Sequence, residues 1–465
     1  MAAPPITLDG TKLRAPGAPA PSAAAEEAAP PLAVLANRNP GAGIDYDLFL
    51  DCVHCGLCTA SCPTFLETGN ENDSPRGRIH LMRNVTDGRL ELTSQVGRHL
   101  ELCLDCRACE TACPSGVAYG RLIEPFRVAM EELAADGQRK SDDWFHRWIL
   151  FGVFPHPDRM RWLLAPARWA QRLGLMRLVE SLGLPRLLPA RLAQLARQLP
   201  PLGRNYPPLP ELLPAIGRRR ARVALFTGCV SDVMFRGTNW ATARVLQQNG
   251  CDVLTPAAQG CCGAIHFHAG ASQPARELAD RNLRAFDPRG LDAIVVNVAG
   301  CGAMLKDYGH HWNDETRQDR ERFADKVRDV HEFLDDLGLT PPSGEIRLRA
   351  TYHDACHLAH AQKIREAPRR LLSQVPGLEL IELPESEVCC GAAGTYNLTE
   401  PEMSQRLSRR KLENIRCTGA SAVLTANAGC LLQVIRQARE DGDKLWVAHP
   451  MDVLDLSYRG ERPPR

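Results

Sequence analysis

The chain has 465 residues, enough for roughly two to four domains, and its 56 lysines and arginines nearly cancel 55 acids to leave +1, which speaks against a basic nucleic-acid binder. Apolar residues make up 44%, but no uninterrupted run approaches the roughly 18–20 needed to cross a bilayer, and the N-terminus lacks a basic stretch leading into an apolar one. Eighteen cysteines, most of them in tight groupings within a chain that shows no export signal, point to metal ligation in a reduced compartment rather than to disulfides.

Residues 1–44 open with Ala and Pro as half of the first forty positions and are expected to be a disordered tail. Residues 45–140 carry two cysteine quadruplets in helical-looking sequence. The first reads Cys52, Cys55, Cys58, Cys62-Pro63; the second reads Cys103, Cys106, Cys109, Cys113-Pro114. C-x2-C-x2-C-x3-C-P is the run that holds cubane [4Fe–4S] clusters. Three thiolates two residues apart wrap one face of a cluster, and in two-cluster proteins the fourth reaches the other cluster. Cys52, Cys55, Cys58 and Cys113 are therefore expected on one cluster, and Cys103, Cys106, Cys109 and Cys62 on the second. Zinc is the competing reading, but four zinc ligands leave the third C-x-x-C step and the trailing proline without a purpose. The 63–102 interval is too long for a minimal ferredoxin hairpin and suggests a helical two-cluster domain. Gly56 and Gly116 are expected to let backbone approach the cluster. Arg76, Arg78, Arg107 and Arg121 are candidates to offset its charge, although each taken alone reads as a solvated surface residue. His54 and His99 read as packing or surface residues.

Residues 141–220 have a helical pattern broken by prolines. Between Arg159 and Pro200 stand eight arginines and a single acid, Glu180. This basic amphipathic stretch reads first as helices packed on the protein under arginine stems, next as a partner contact, and third as a membrane surface.

From residue 221 short β-type runs (223–227, 252–254, 293–298, 349–352, 378–383, 422–426, 445–448) alternate with helical ones, the pattern of α/β layers with mostly parallel sheets. This half is duplicated. Cys229, Cys261, Cys262 and Cys301 recur as Cys356, Cys389, Cys390 and Cys430, at offsets of 127 to 129 residues. Residues 221–340 and 345–460 are thus two copies of one module. The expected architecture is α+β and multidomain, a helical two-cluster ferredoxin-like domain followed by the duplicated modules.

The motifs CVHCGLCTASCPTF, DSPRGRIHLM and CLDCRACETACPSGVAYGRL, followed by two CCG modules, resemble the glycolate oxidase iron–sulfur subunit from about residue 45 to the C-terminus. They are similar, more distantly, to lactate-utilisation, anaerobic glycerol-3-phosphate dehydrogenase and heterodisulfide reductase subunits. The resemblance implies two cubane clusters on the eight N-terminal cysteines and an electron-transfer role in an oxidoreductase complex. It also implies a separate flavin-containing subunit that oxidises glycolate to glyoxylate, with no flavin on this chain. The expected location is the cytoplasm, with a peripheral contact to the inner membrane face or the quinone pool left open.

The modules depart from the heterodisulfide reductase pattern. Val298 and Asn427 stand where a further cysteine would complete C-x-x-C, so each module keeps four thiols. These can hold zinc or an iron–sulfur cluster, or stay reduced at the C-terminal ends of the strands. Thiol-redox or quinone-reducing chemistry in this half is the runner-up function. His353, His357 and His360 surround Cys356, and His266 and His268 follow the first pair. Taken singly, each reads as a hydrogen-bonding loop or cap residue. Cys251 and Cys417 fall outside the duplicated pattern and read as small buried hydrophobes.

Overall fold

The computed structural model describes residues 39–134, 143–175, 189–202 and 206–464. Most of the expected N-terminal tail, and residues 176–188 of the basic stretch, lie outside the described residues.

The N-terminal third is built from short helices because proline and small capping side chains start them close to the cysteines. Pro63 opens Pro63–Thr68 directly after Cys62. Ser74 caps Pro75–Thr86 by accepting from the Gly77 amide, and Thr93 caps Ser94–Glu101 in the same way through Val96. These helices and Gly120–Leu133 bury Phe49, Met82, Leu100, Leu122, Ile123 and Phe126 in a core of their own, with Cys52, Cys103, Cys109 and Cys113 packed against its edge.

The C-terminal half holds two sheets. In the first, β1 (Leu212–Leu213), β3 (Cys251–Leu254), β2 (Ala221–Phe226), β4 (Ala293–Val296) and β5 (Val327–Asp329) lie in that order, with only β1 antiparallel. The second runs β7 (Leu378–Ile381), β6 (Leu348–Tyr352), β8 (Ala422–Leu424), β9 (Trp446–Ala448), all parallel. The strand order of β6–β9 repeats that of β2–β5, so the duplication seen in the cysteines is a duplication of topology. Seven strands fall on the β-type runs of the sequence. β1 and β5 escaped because Leu212–Leu213 is too short, and Val327–Asp329 too charged, to stand out as an apolar β-type run.

The modules share one core. Val223, Leu225, Leu246 and Val295 of the first pack in a single cluster with Ala350, Tyr352, Leu371, Leu424 and Leu454 of the second. Helices Arg236–Gln248 and Pro450–Arg459 meet along this seam, where the Arg244 guanidinium donates to both oxygens of Asp455 at 2.7 and 2.6 Å. His449 Nε2 lies 2.9 Å from the Asn297 carbonyl across the same seam.

The middle segment supplies the helix Pro157–Arg172, which meets the first module through Arg161 on Asp232 (2.8 Å) and Arg168 on the Val233 carbonyl (2.6 Å). Its opposite face exposes Trp162, Leu163, Trp169 and Leu173. One face follows the arginine-stem packing expected from sequence, and the other is apolar and turned outward.

Leu246 is fully buried in the shared core. Leu246→Ala should cost about 2–5 kcal/mol. Because the core is common, hydrogen exchange should accelerate in β6 and β8 as well as in β2 and β4; protection that is lost in the first sheet alone would refute the shared core.

Candidate iron–sulfur and cysteine-rich sites

The two quadruplet loops have the same backbone. His54 and Asp105, each two residues after the first cysteine, take φ of 56° and 54°, and Gly56 and Arg107, two further on, take 85° and 60°. Left-handed residues at alternate positions turn successive amides to one side, the concave arrangement that suits an anion. Glycine adopts this left-handed conformation at Gly56 without strain, and a Cβ there would displace the Arg76 guanidinium, 2.4 Å away.

These loops bring the sulfurs into two adjoining cavities. One is lined by Cys52, Cys55, Cys58, Cys109 and Cys113; the other by Cys62, Cys103, Cys106 and Cys109. Pro75, Cys109 and Tyr119 belong to both linings. Neither lining contains a carboxylate, whereas Arg76 faces the first cavity and Arg78 and Arg107 the second. Thiols in a lining that holds arginine and no carboxylate are the donor set an anionic iron–sulfide group requires. Burial raises the Cys58 thiol to about 11 and holds Cys106 and Cys109 well above the ordinary range, so ligation here has to release protons. Hydrogen bonds already converge on the sulfurs: Tyr119 Oη donates to Cys103 Sγ at 3.5 Å, and the Asp105 amide does so at 3.4 Å.

Two of the arginines read as surface residues are buried. Arg78, 1% exposed, donates to Thr64 Oγ1 at 3.1 Å and to the His99 carbonyl at 2.7 Å, with Cys62 Sγ 3.9 Å away. Arg107 is spread over Asp105 (2.7 Å), Glu110 (3.1 Å) and Glu124 (2.7 Å). Burial works to raise the Asp105 carboxyl, but Arg107 outweighs it and holds Asp105 well below the usual range. Glu124 goes the other way: burial pushes it up to about 7 against the pull of Arg107. No local signal marked these arginines as buried, because the groups that close over them, Glu124 on Arg107 and Thr64 and the His99 carbonyl on Arg78, come from separate turns of chain. Arg76 and Arg121 are partly exposed and paired with Glu71 and Asp307. His99 packs against Asp73 at 2.8 Å.

In the first module the four sulfurs form a row at the C-terminal ends of the strands. Cys229 and Cys261 are 3.4 Å apart, as are Cys262 and Cys301. All four thiols lie above their ordinary value, Cys229 chiefly through its contact with Cys261 and then through burial. The second module differs. Cys356 and Cys389 are 4.0 Å apart, and Cys389 is lowered by the hydrogen bond from Cys356. Cys430 is lowered by Cys390 first, against burial, and further by the Asn427 amide. The buried Lys411 lies close by and donates to the carbonyls of Glu385 and Ser386.

The second module also adjoins the N-terminal loops. Cys106, Leu104 and Ala108 form one buried cluster with Cys356, Cys389, Tyr396 and Met403. The Tyr396 hydroxyl donates to the Leu102 carbonyl at 2.9 Å, and Thr111 meets His360 Nδ1 at 2.9 Å. Arg410 bridges Glu67 (3.2 Å) and Glu385 (2.6 Å).

Of the remaining histidines, His266 stacks on Phe151 at 4.3 Å, and burial lowers it to about 4. His357 is lowered by burial to about 3, and His268 sits 3.5 Å from Asp105. Cys251 is buried, but Cys417 is exposed at the end of its helix, contrary to the expectation of a buried hydrophobe. Helical periodicity, not composition, sends it outward.

This architecture defines a class: a helical thiol-rich domain fused to paired parallel α/β cysteine-rich modules. Residues 49–117 match the 4Fe-4S dicluster domain, residues 223–306 and 350–435 the cysteine-rich domain, and residues 141–199 the linker region of the glycolate oxidase iron-sulfur subunit. A probable glycolate oxidase iron-sulfur subunit of Bacillus subtilis is 39% identical over 430 residues, covering 88% of this chain and 94% of that protein. The glycolate oxidase iron-sulfur subunit of Escherichia coli is 34% identical over 420 residues, with the same coverage. Lactate utilization protein A of Oceanobacillus iheyensis is 32% identical over 242 residues, 51% of this chain and 98% of that protein. The chain belongs to the glycolate oxidase iron–sulfur subunit family.

Arg107→Met should leave Asp105 and Glu124 buried beside each other without their cation, lowering stability by about 3–5 kcal/mol in denaturant unfolding. A loss under 1 kcal/mol would mean the carboxylates are neutral without Arg107. Glu385 is held down to about 2 by Arg410, against burial, with Asn414 as a further donor. Its folded value lies below the ordinary 4.5, so its stabilisation is complete above that pH and fades as pH falls toward 2. Wild type should therefore lose stability faster than Glu385→Gln across this window in acid titrations of unfolding.

Proposed function

We propose that this chain is the iron–sulfur electron-transfer subunit of a 2-hydroxy-acid oxidising complex of the glycolate oxidase type. It works beside a separate flavin-bearing subunit that converts glycolate to glyoxylate, and it carries no flavin itself. The observation behind this is the pair of adjoining, acid-free, thiol-lined cavities that share Cys109 and Tyr119.

We assign Cys52, Cys55, Cys58 and Cys113 to one [4Fe–4S] cluster and Cys103, Cys106, Cys109 and Cys62 to the other. Bound there, such a cluster supplies single-electron exchange and no hydride acceptor, so substrate oxidation belongs on another subunit. The residues of this chain hold the sulfurs, exclude water and balance charge. Arg78 and Arg107 line the second cavity, and the apolar cluster around Cys106 extends to Cys356 and Cys389. The duplicated cysteines hold zinc or a further iron–sulfur group in at least one module. Among the described residues no helix is long and apolar enough to cross a membrane. The outward face of Trp162, Leu163, Trp169 and Leu173 offers apolar area for the flavoprotein, and Arg159 and Arg172 beside it also suit an anionic membrane surface.

Anaerobically purified chain should hold about eight irons and eight sulfides in the N-terminal domain. Cys62→Ser should damage the cluster held by Cys103, Cys106 and Cys109, visible as the loss of one of two coupled cubane signals in EPR. Loss of the cluster at Cys52, Cys55 and Cys58 instead would overturn the assignment. Alone, the chain should leave a dye unreduced when glycolate is added, and the cognate flavoprotein should restore turnover. Glycolate-dependent reduction by the flavin-free chain would sink the relay reading.

A further inference from the structure

We propose that His353 is a metal ligand. Through Nε2 it joins Cys390 and Cys430 in a mixed nitrogen–sulfur centre of the second module, built for a thiophilic metal, either zinc or the iron of an iron–sulfur group. This deepens the reading above and rests on it for the presence of a metal in that module.

The geometry comes first. The ligand atoms of His353, Cys390 and Cys430 all lie within 4.8 Å of one another, and all three residues are buried. His353 is fully buried, and its Nε2 has no hydrogen-bond partner. An orphaned polar atom in such a place costs about 1–3 kcal/mol unless something fills the position. Its other nitrogen is already committed: Nδ1 lies 2.9 Å from the Ser386 carbonyl. A carbonyl only accepts, so Nδ1 carries the proton and Nε2 presents its lone pair toward the sulfurs. That arrangement, one ring nitrogen anchored on a backbone carbonyl and the other free, is how proteins orient a ligating histidine. Zinc bound by sulfur and nitrogen brings donor atoms to about 3.5–3.8 Å, inside the 4.8 Å that spans this cluster.

Charge supports the same centre. Lys411 Nζ donates to the Ser386 carbonyl at 3.3 Å, so one carbonyl ties the histidine to a buried cation next to the sulfurs. Asn427 Nδ2, at the position where a fifth cysteine is missing, donates to Cys430 Sγ at 3.4 Å and so favours its thiolate.

The duplicate module is the internal control. The residue three before Cys356 is His353; the residue three before Cys229 is Phe226, which packs in an apolar cluster with Cys229, Cys261 and Cys262. Both modules lack the fifth thiol, and only the second has a nitrogen ligand, His353, at this position.

The test uses the full chain, reconstituted anaerobically with iron and sulfide or with zinc alone. In the iron arm, pulsed EPR on protein grown with 15N-histidine should show a nitrogen coupling on a centre beyond the two N-terminal clusters. In the zinc arm, X-ray absorption at the zinc edge should show one nitrogen donor among sulfurs. His353→Ala should lose the additional metal while keeping the iron and labile sulfide of the N-terminal domain. His353→Cys should keep the metal and lose the nitrogen signature. A nitrogen signature that persists in His353→Ala, or sulfur-only coordination in wild type, overturns the ligand assignment yet leaves a metal in the module. Wild type holding no metal beyond the two N-terminal clusters overturns both readings. Should His353→Ala fail to fold, the wild-type spectra still decide the question.

Discussion

Sulfur in a low-dielectric interior needs charge compensation, and that requirement organises this protein. A metal centre held by thiolates is anionic, and isolated buried charge is too costly to leave unmatched. Three buried cations answer it: Arg78 beside Cys62, Arg107 in the second cavity, and Lys411 beside Cys390 and Cys430. Each cation in turn is held by oxygen. Arg107 gathers Asp105, Glu110 and Glu124, and Lys411 is held by the carbonyls of Glu385 and Ser386. The helix Gly120–Leu133 is thereby tied to the second quadruplet loop. Gly120 makes room for that contact, since a Cβ there would overlap the Arg107 guanidinium at 1.5 Å.

Duplication gave two modules one topology and then two electrostatic characters. In the first, four thiols in mutual contact stay protonated in apolar surroundings. In the second, a lysine, a histidine and an asparagine amide surround the sulfurs, and two of them shift toward thiolate. This second module is also the one whose Cys356 and Cys389 pack against Cys106. The more polar sulfur group packs through Cys356 and Cys389 on the second N-terminal loop, and the more apolar one belongs to the module that the basic helix Pro157–Arg172 reaches.

The interface between the N-terminal domain and the second module combines an apolar centre with ion pairs at its edge. Leu102, Leu104, Tyr396 and Met403 exclude water, while Arg98–Glu400 and Arg410–Glu67 close the rim. Rim pairs of this exposure contribute little to stability and more to register. Register matters here, because a small slip would separate Cys106 from Cys389.

Much of this was legible from spacing alone. Ligand spacing is a short-range constraint on one stretch of backbone, so the two C-x2-C-x2-C-x3-C-P runs and the recurring CCG pairs identify thiol-rich sites without any tertiary information. The β-type runs did the same for seven strands, since parallel strands buried on both faces are written as continuous apolar residues. What tertiary structure decided is which groups share a low-dielectric space. Arg78 and Arg107 look like surface residues until carboxylates and carbonyls from remote turns close over them. Cys417 looks like a core residue until the helix turns it outward. Val327–Asp329 becomes a strand only because β4 is beside it. His353 was one histidine among several around Cys356; only folding sets its Nδ1 on Ser386 and leaves Nε2 bare among sulfurs. Burial and pairing are properties of assembled surfaces, and no local window of sequence contains them.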